Sequence, residues 1–203
     1  MVKTDYVEKD LQREVNRWGT PLSQICCQEG CSPCSKSCRH PKQLREVYAG
    51  PAGCEYWHLD NDPWAPGKTR FTKPKPYDCR LTMRCDGIGQ VHAIELKVSK
   101  GGTFALSSVQ DHQWKGLQRL DACGSNCYGW VLICWARALE RVLMAHRVTV
   151  LADWHQRHPS ITRDWSLANG LRLLPVICHP WKTSLDDQFG WDLSKLRQPT
   201  TRP

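Results

Sequence analysis

The sequence has no long apolar run: its longest, Trp130–Ala136, is too short to span a bilayer. The opening MVKTDYVEKDL is charged and carries no apolar stretch, so no secretory signal and no membrane partner are expected. There is no internal repeat and no low-complexity segment, which sets repeat architectures aside. Acids are in deficit: 28 Lys plus Arg against 20 Asp plus Glu leave a net charge of +8, which suits an anionic partner, most commonly nucleic acid. What is present is equally uneven. Ten tryptophans and a 40% apolar fraction argue against disorder. Twelve cysteines without a leader point to thiols and metal ligands in a reducing cytoplasm, not to a disulfide scaffold. At 203 residues the chain is long enough for one domain and part of a second.

Val7, Leu11, Val15 and Trp18 recur at helical spacing, with Asp5 as a cap, Glu8 completing a capping box, and Gly19 and Pro21 as the stop. No period survives from Leu22 to Pro76, a proline-rich stretch with half of the cysteines. It reads as a loop-rich insertion that needs something other than a core to organise it. Cys79–Arg84 and Val91–Val98 alternate in character around an Asp86-Gly87 turn signal, which predicts a hairpin. Gly101-Gly102 turns into a third strand, Thr103–Leu106. Ser107 or Ser108 then caps a helix to about Asp121, with Val109, Gln113, Leu117 and Leu120 on one face. Tyr128–Trp135 is apolar on both faces, as in a strand covered on both sides, and Ala136–His146 reads as a helix with Leu139, Val142 and Leu143 inward. The order is helix, three strands, helix, strand, helix, an α/β layered core. Residues 1–150 form that core, with 22–76 inserted, and 151–203 form a C-terminal extension packed on it.

The chemistry concentrates between Lys73 and Leu120. Glu95 and Lys97 lie two apart on one strand, so both side chains leave the same face, and Asp78 sits just before the neighbouring strand. Two converging carboxylates make a hard oxygen site suited to magnesium, and a lysine beside them could orient or activate a water or stabilise charge on phosphorus. Charged residues on an exposed strand face are common. Here, however, Ile94, Leu96 and Val98 make the strand half-buried, so its polar face must meet something polar.

KPYDC (Lys75–Cys79), AIELKVSKGGTFAL (Ala93–Leu106), DHQWKGLQRL (Asp111–Leu120) and the strand after Gly129 together resemble the PD-(D/E)XK nuclease superfamily, most closely the RecU-like and phage Holliday junction resolvases. The resemblance spans roughly Lys73–Trp135, with the four elements in order. It implies a restriction-endonuclease-like core of helix, three strands, helix and strand, with Asp78 and Glu95 as ligands of Mg2+ (or Mn2+) and Lys97 as the catalytic lysine. It further implies Gln113 as a second-helix residue facing the site and Glu8 as the acid from the first helix. Each has a plainer reading: Glu8 as a capping-box residue, Gln113 as a core amide, His112 as a packing neighbour. Asp86 competes with Asp78, but its Asp-Gly context marks a turn. The loop before Asp78 departs from the family in being cysteine-rich, and stalk-like strands are not legible.

Cys26, Cys27, Cys31, Cys34, Cys38 and His40 place six soft ligands within fifteen residues, four of which could hold a structural zinc, with Cys54 and His58 as substitutes. Cys123 and Cys127 read as helix and loop thiols, and Cys79, Cys85, Cys134 and Cys178 as buried fillers. Lys68, Arg70, Lys73 and Lys75 lie in an acid-free stretch leading into Asp78 and could hold phosphates, with Trp64 and Phe71 able to stack on bases. Lys100, Lys115 and Arg119 form a second candidate patch, while Arg137, Arg141 and Arg147 read as the polar face of the last helix. The expectation is a metal-dependent endonuclease acting on branched double-stranded DNA as a homodimer, in a bacterial or phage-infected cytoplasm. The alternatives are a related nuclease for flaps, ends or foreign DNA, and a zinc-stabilised DNA-binding protein without catalysis.

Overall fold

The computed structural model of the chain describes residues 6–18, 20–21, 47–50, 54–58, 76–85, 88–137, 140–178 and 189–198. The described elements run α1 (Glu8–Asn16), β1 (Thr20–Pro21), β2 (Val47–Gly50), β3 (Cys54–His58), β4 (Cys79–Cys85), β5 (Ile88–Ser99), β6 (Thr103–Ala105), α2 (Asp111–Asp121), β7 (Cys127–Arg137), β8 (Glu140–Arg147), α3 (Val148–His155), β9 (Ser160–Thr162), α4 (Arg163–Asn169), β10 (Leu171–Leu173), β11 (Pro175–Ile177) and β12 (Phe189–Trp191). The main sheet has the order β1-β2-β3-β4-β5-β7-β8-β10. Among the described strands the parallel pair is β5 with β7, and the chain between them crosses over through α2, the connection a parallel pair requires. The architecture is mixed α/β around a central sheet. No helix among the described residues is long and apolar enough to cross a membrane.

Strand period sorts the apolar side chains into two cores. Ile94 and Leu96 of β5, with Tyr128, Trp130, Leu132 and Cys134 of β7, face a first core closed by Leu11 and Val15 of α1. Val131, Ile133 and Trp135, the alternate residues of β7, face a second core closed by Leu117 of α2 and by Val148 and Leu151 of α3. Strand β7 is therefore covered on both sides, as its unbroken apolar run predicts.

Four local expectations are corrected. Ala136–His146 is not a helix: β8 occupies Glu140–Arg147 and pairs antiparallel with β7. Leu143 and Ala145 enter the first core while Val142 and Met144 enter the second, which is period two. A short apolar run buried on both faces carries no periodicity that separates strand from helix. Arg141 and Arg147 accordingly belong to a strand, where they pair with Glu14 and Asp121. The third strand forms over Thr103–Ala105 but leaves the main sheet and pairs with β9. Ser99 Oγ bonds Thr103 O at 2.9 Å across the bend. Ser107 and Ser108 cap nothing; they end a 3-10 turn (Leu106–Ser108), and α2 begins at Asp111 with Gln110 at its N-cap. Finally, α1 starts after Val7, whose N–H donates to the Asp10 carboxylate at 3.1 Å, so Glu8 completes no capping box and Val7 is exposed. Within the expected loop-rich insertion, β3 pairs antiparallel with β4 and β2 pairs antiparallel with β3, so the two extend the sheet.

The C-terminal residues share the first core. Trp191, Leu193 and Leu196 are buried in it, and Trp191 Nε1 donates to Glu14 Oε2 of α1 at 2.9 Å. The Tyr6 hydroxyl donates to the same oxygen at 2.7 Å, and Arg141 Nη1 donates to Oε1 while its guanidinium lies 5.0 Å from the Tyr6 ring centroid. One carboxylate thus ties α1, β8 and the C-terminal segment together.

Two buried histidines make stability pH-dependent. Burial lowers His146 to about 4. Burial, with Arg147 nearby, lowers His92 to about 3, where Trp130 Nε1 donates to His92 Nδ1 at 3.0 Å. Both folded values lie below the ordinary value of 6.5. Their contribution is therefore complete above that value. It is lost as pH falls towards the folded values, because the unfolded chain takes the protons first. Each histidine costs up to about 1.4 kcal/mol per pH unit in that window. His146→Gln is expected to flatten the decline in urea-unfolding free energy between about pH 6.5 and about pH 4.5, and an unchanged slope would refute this account.

Candidate active site

The site forms where β4 and β5 part. Their last paired residues are Cys79 and Ile94. Beyond them the Asp78 N–H still donates to Ile94 O at 3.0 Å, and Asp78 Oδ2 accepts the Leu96 N–H at 2.9 Å. Asp78 thereby caps the freed edge of β5 with its side chain and is held against the strand that carries Glu95 and Lys97.

Glu95 is fully buried and Lys97 nearly so. Their side chains project to the α2 face of the sheet, the face that Ala93 shares with the second core. Lys97 Nζ lies 2.8 Å from Glu95 Oε1 and 3.6 Å from Glu8 Oε1, although Glu8 sits on α1. Gln113 Nε2 donates to Glu95 Oε1 at 2.5 Å, and Gln113 Oε1 accepts the Gln110 N–H at 2.9 Å. The two bonds fix which end of the amide meets the carboxylate, since a flipped amide would turn oxygen towards oxygen. The structure thus brings Glu8, Glu95, Lys97 and Gln113 together, with Asp78 acting on Glu95.

The electrostatics set two neighbouring carboxylates against each other. Burial, and then the Asp78 carboxylate, push Glu95 up to about 8 against the opposing effect of Lys97. Glu95 Oε2 is buried and finds no hydrogen-bond donor among the described residues, and the carboxylate stands close enough to Asp78 to share a proton with it. Burial alone would lower Lys97, but Glu95, with Glu8 and Asp78, reverses this and the ammonium ends above its ordinary value. Its acidic neighbours therefore favour the protonated form of Lys97. The buried oxygen without a donor among the described residues is a carboxylate oxygen next to a second carboxylate. That donor set fits a hard divalent ion such as magnesium, which takes one or two protein carboxylates and completes its shell with water and phosphate oxygens. Among the described residues no group of three or more His, Cys, Asp or Glu side chains gathers as a metal site, so a protein-only cage is not what this geometry offers.

Comparison with known proteins adds little. No family model matches the chain, and no curated protein matches it. Among solved structures, a Holliday junction resolvase, Hjc, from Archaeoglobus fulgidus is similar at 17% identity and a TM-score of 0.38, over 60% of this chain and 84% of that one. A similarity of that size does not bear on the chemistry, which rests on the side chains themselves.

Of the other candidates, Lys115 and Arg119 are exposed on the outer side of α2, Lys100 is exposed just after β5, and His112 is half-buried. Lys68, Arg70, Lys73 and Lys75 lie outside the described residues, as do Cys26, Cys27, Cys31, Cys34, Cys38 and His40. The side chains of Cys54 and His58, on β3, are likewise not described. Cys79 and Cys134 are buried, and burial, with Glu14 adding to it, pushes the Cys134 thiol up to about 12. Cys178 and Cys127 are half-buried and Cys123 is exposed. Sequence reasoning missed Gly116, in the middle of α2. Its signal was there to read: a glycine inside a helix costs about 1 kcal/mol against alanine and asks for a packing reason.

Proposed function

We propose that this chain is a magnesium-dependent endodeoxyribonuclease of the PD-(D/E)XK type, cutting branched double-stranded DNA and resolving four-way junctions as a homodimer. The observation that carries the reading is the buried Glu95 carboxylate, held by Lys97 and Gln113 with Asp78 beside it and one oxygen left without a donor among the described residues. Bound magnesium would supply a Lewis acid for the phosphoryl oxygens and lower the pKa of the attacking water. Asp78 and Glu95 are the residues to hold it. Lys97, kept protonated by its acidic neighbours, donates to the attacking water or to a non-bridging oxygen and offsets the charge that grows on phosphorus. Glu8 and Glu95 aim that ammonium from two sides, and Gln113 holds Glu95 in its rotamer. Hydrolysis joins the water oxygen to phosphorus and releases the 3′ oxygen, leaving a 5′-phosphate. The exposed Lys100, Lys115 and Arg119 stand on the elements that carry the site and suit phosphate contacts. A structural zinc among Cys26, Cys27, Cys31, Cys34, Cys38 and His40 belongs to the same proposal.

The test is cleavage of labelled four-way junction, flap, linear duplex and single-stranded DNA with magnesium, alongside Asp78→Asn. Paired cuts in the junction are expected, with a loss of roughly a hundredfold or more in the variant. Equal cutting of linear duplex would remove junction resolution and leave a nuclease of other specificity. DNA binding without cleavage of any substrate would remove the enzyme and leave the binding protein. Elemental analysis of the same chelator-washed preparation tests the zinc, whose absence would remove that part alone.

A further inference from the structure

Helix α2 meets the site twice. Gln113 holds Glu95, and one turn later Gly116 lies against the segment that ends in Asp78. A Cβ placed on Gly116 would lie 2.5 Å from Pro76 O, 2.6 Å from Pro76 Cβ and 3.1 Å from Pro76 C. Such approaches do not occur between real atoms, and the obstacle is largely backbone, which cannot rotate away. Two residues on, Asp78 is tied to β5 by its N–H and by its carboxylate. Tyr77, between them, packs on the second core together with Trp114 and Leu120 of α2. The Pro76–Asp78 segment is therefore wedged between a helix and a strand, and the missing side chain at 116 sets the width of the gap.

We propose that Gly116 is a positioning residue for the acidic pair: by letting α2 abut Pro76, it sets the placement of Asp78 relative to Glu95 and so tunes the site to a small octahedral ion. The inference rests on the metal-binding reading of Asp78 and Glu95. An added methyl must move one of two things. If the helix retreats, Gln113 leaves Glu95; if the segment gives way, Asp78 shifts along β5. Either movement changes the geometry of the pair. Magnesium demands near-ideal octahedral geometry, whereas calcium accepts irregular shells at longer distances, so a displaced carboxylate weakens magnesium selectively.

The experiment is calorimetric titration of chelator-treated full-length protein with magnesium and, separately, with calcium. Gly116→Ala is expected to lose about tenfold or more in magnesium affinity and about threefold or less in calcium affinity. Gly170→Ala is the matched control. Its Cβ would meet His146 Cε1 at 2.5 Å and Ser166 O at 2.8 Å, an equal steric insult against β8, which β7 separates from β5. It should lower the melting temperature and leave the ratio of the two affinities unchanged. If Gly116→Ala does not fold, Pro76→Gly at an exposed position relaxes the same wedge and should shift the ratio in the same direction. Wild-type protein that binds neither ion overturns the metal reading itself. Wild-type binding with an unchanged ratio in the folded variant overturns the role of Gly116 alone, as does a control that shifts the ratio equally.

Discussion

Lys97→Met is expected to lower magnesium-dependent DNA cleavage by roughly a thousandfold while leaving the fold in place. Two losses combine. The cation 2.8 Å from Glu95 Oε1 disappears, so nothing offsets the charge that builds on the phosphoryl oxygens. Glu95, already pushed up to about 8 by burial and Asp78 against the opposing effect of Lys97, then moves higher still, so a metal ion must displace its proton at a greater cost and binding at neutral pH weakens. The fold survives for the same reason: Glu95 takes a proton instead of standing as a buried lone charge, and methionine keeps the apolar stem of the lysine. Raising the pH should restore part of the variant's metal binding but not its turnover, because the carboxylate can be recovered and the ammonium cannot. Single-turnover cleavage, read beside a thermal melt, decides it. A folded variant within about tenfold of wild type would remove Lys97 from the chemistry.

Glu14→Ala has the largest expected effect on stability, roughly 3–5 kcal/mol. Glu14 accepts from Tyr6, Trp191 and Arg141. Its loss leaves the Tyr6 hydroxyl and the Trp191 N–H buried without an acceptor, at about 1–3 kcal/mol each. It also leaves the partly buried Arg141 without its counter-charge. The cost should fall on the attachment of the C-terminal segment first, since Trp191 is held to α1 through this carboxylate. Glu14→Gln keeps one acceptor and loses the charge, so it should cost about half as much. Equilibrium unfolding in urea measures both. A loss below about 1 kcal/mol in Glu14→Ala would mean that the three donors find other partners.

Local pattern reached furthest where one strand carried the information. Glu95 and Lys97 are two residues apart, and in any strand that spacing puts them on one face. The β4–β5 hairpin was legible from alternation on either side of an Asp-Gly turn signal, and the observed register pairs Cys85 with Ile88. Legibility failed where both faces were apolar. Val142, Leu143 and Met144 serve two cores, and a helix would bury such a run just as readily. It failed also at Thr103–Ala105: its strand character is local, but its partner, β9, lies far along the chain.

The sequence by itself determined that an acid stands just before a half-buried hairpin and a second acid and a lysine near its end, and that the chain folds as α/β layers. Alternation, turn chemistry and helical spacing are short-range properties, and short stretches of chain record them. Only the tertiary structure decided that Glu8 reaches Lys97, that Gln113 turns its nitrogen to Glu95, and that Gly116 sits against Pro76. Each of these joins elements distant in sequence, and their separation is set by how two cores fill on either face of one sheet, a packing problem that no single stretch of chain contains.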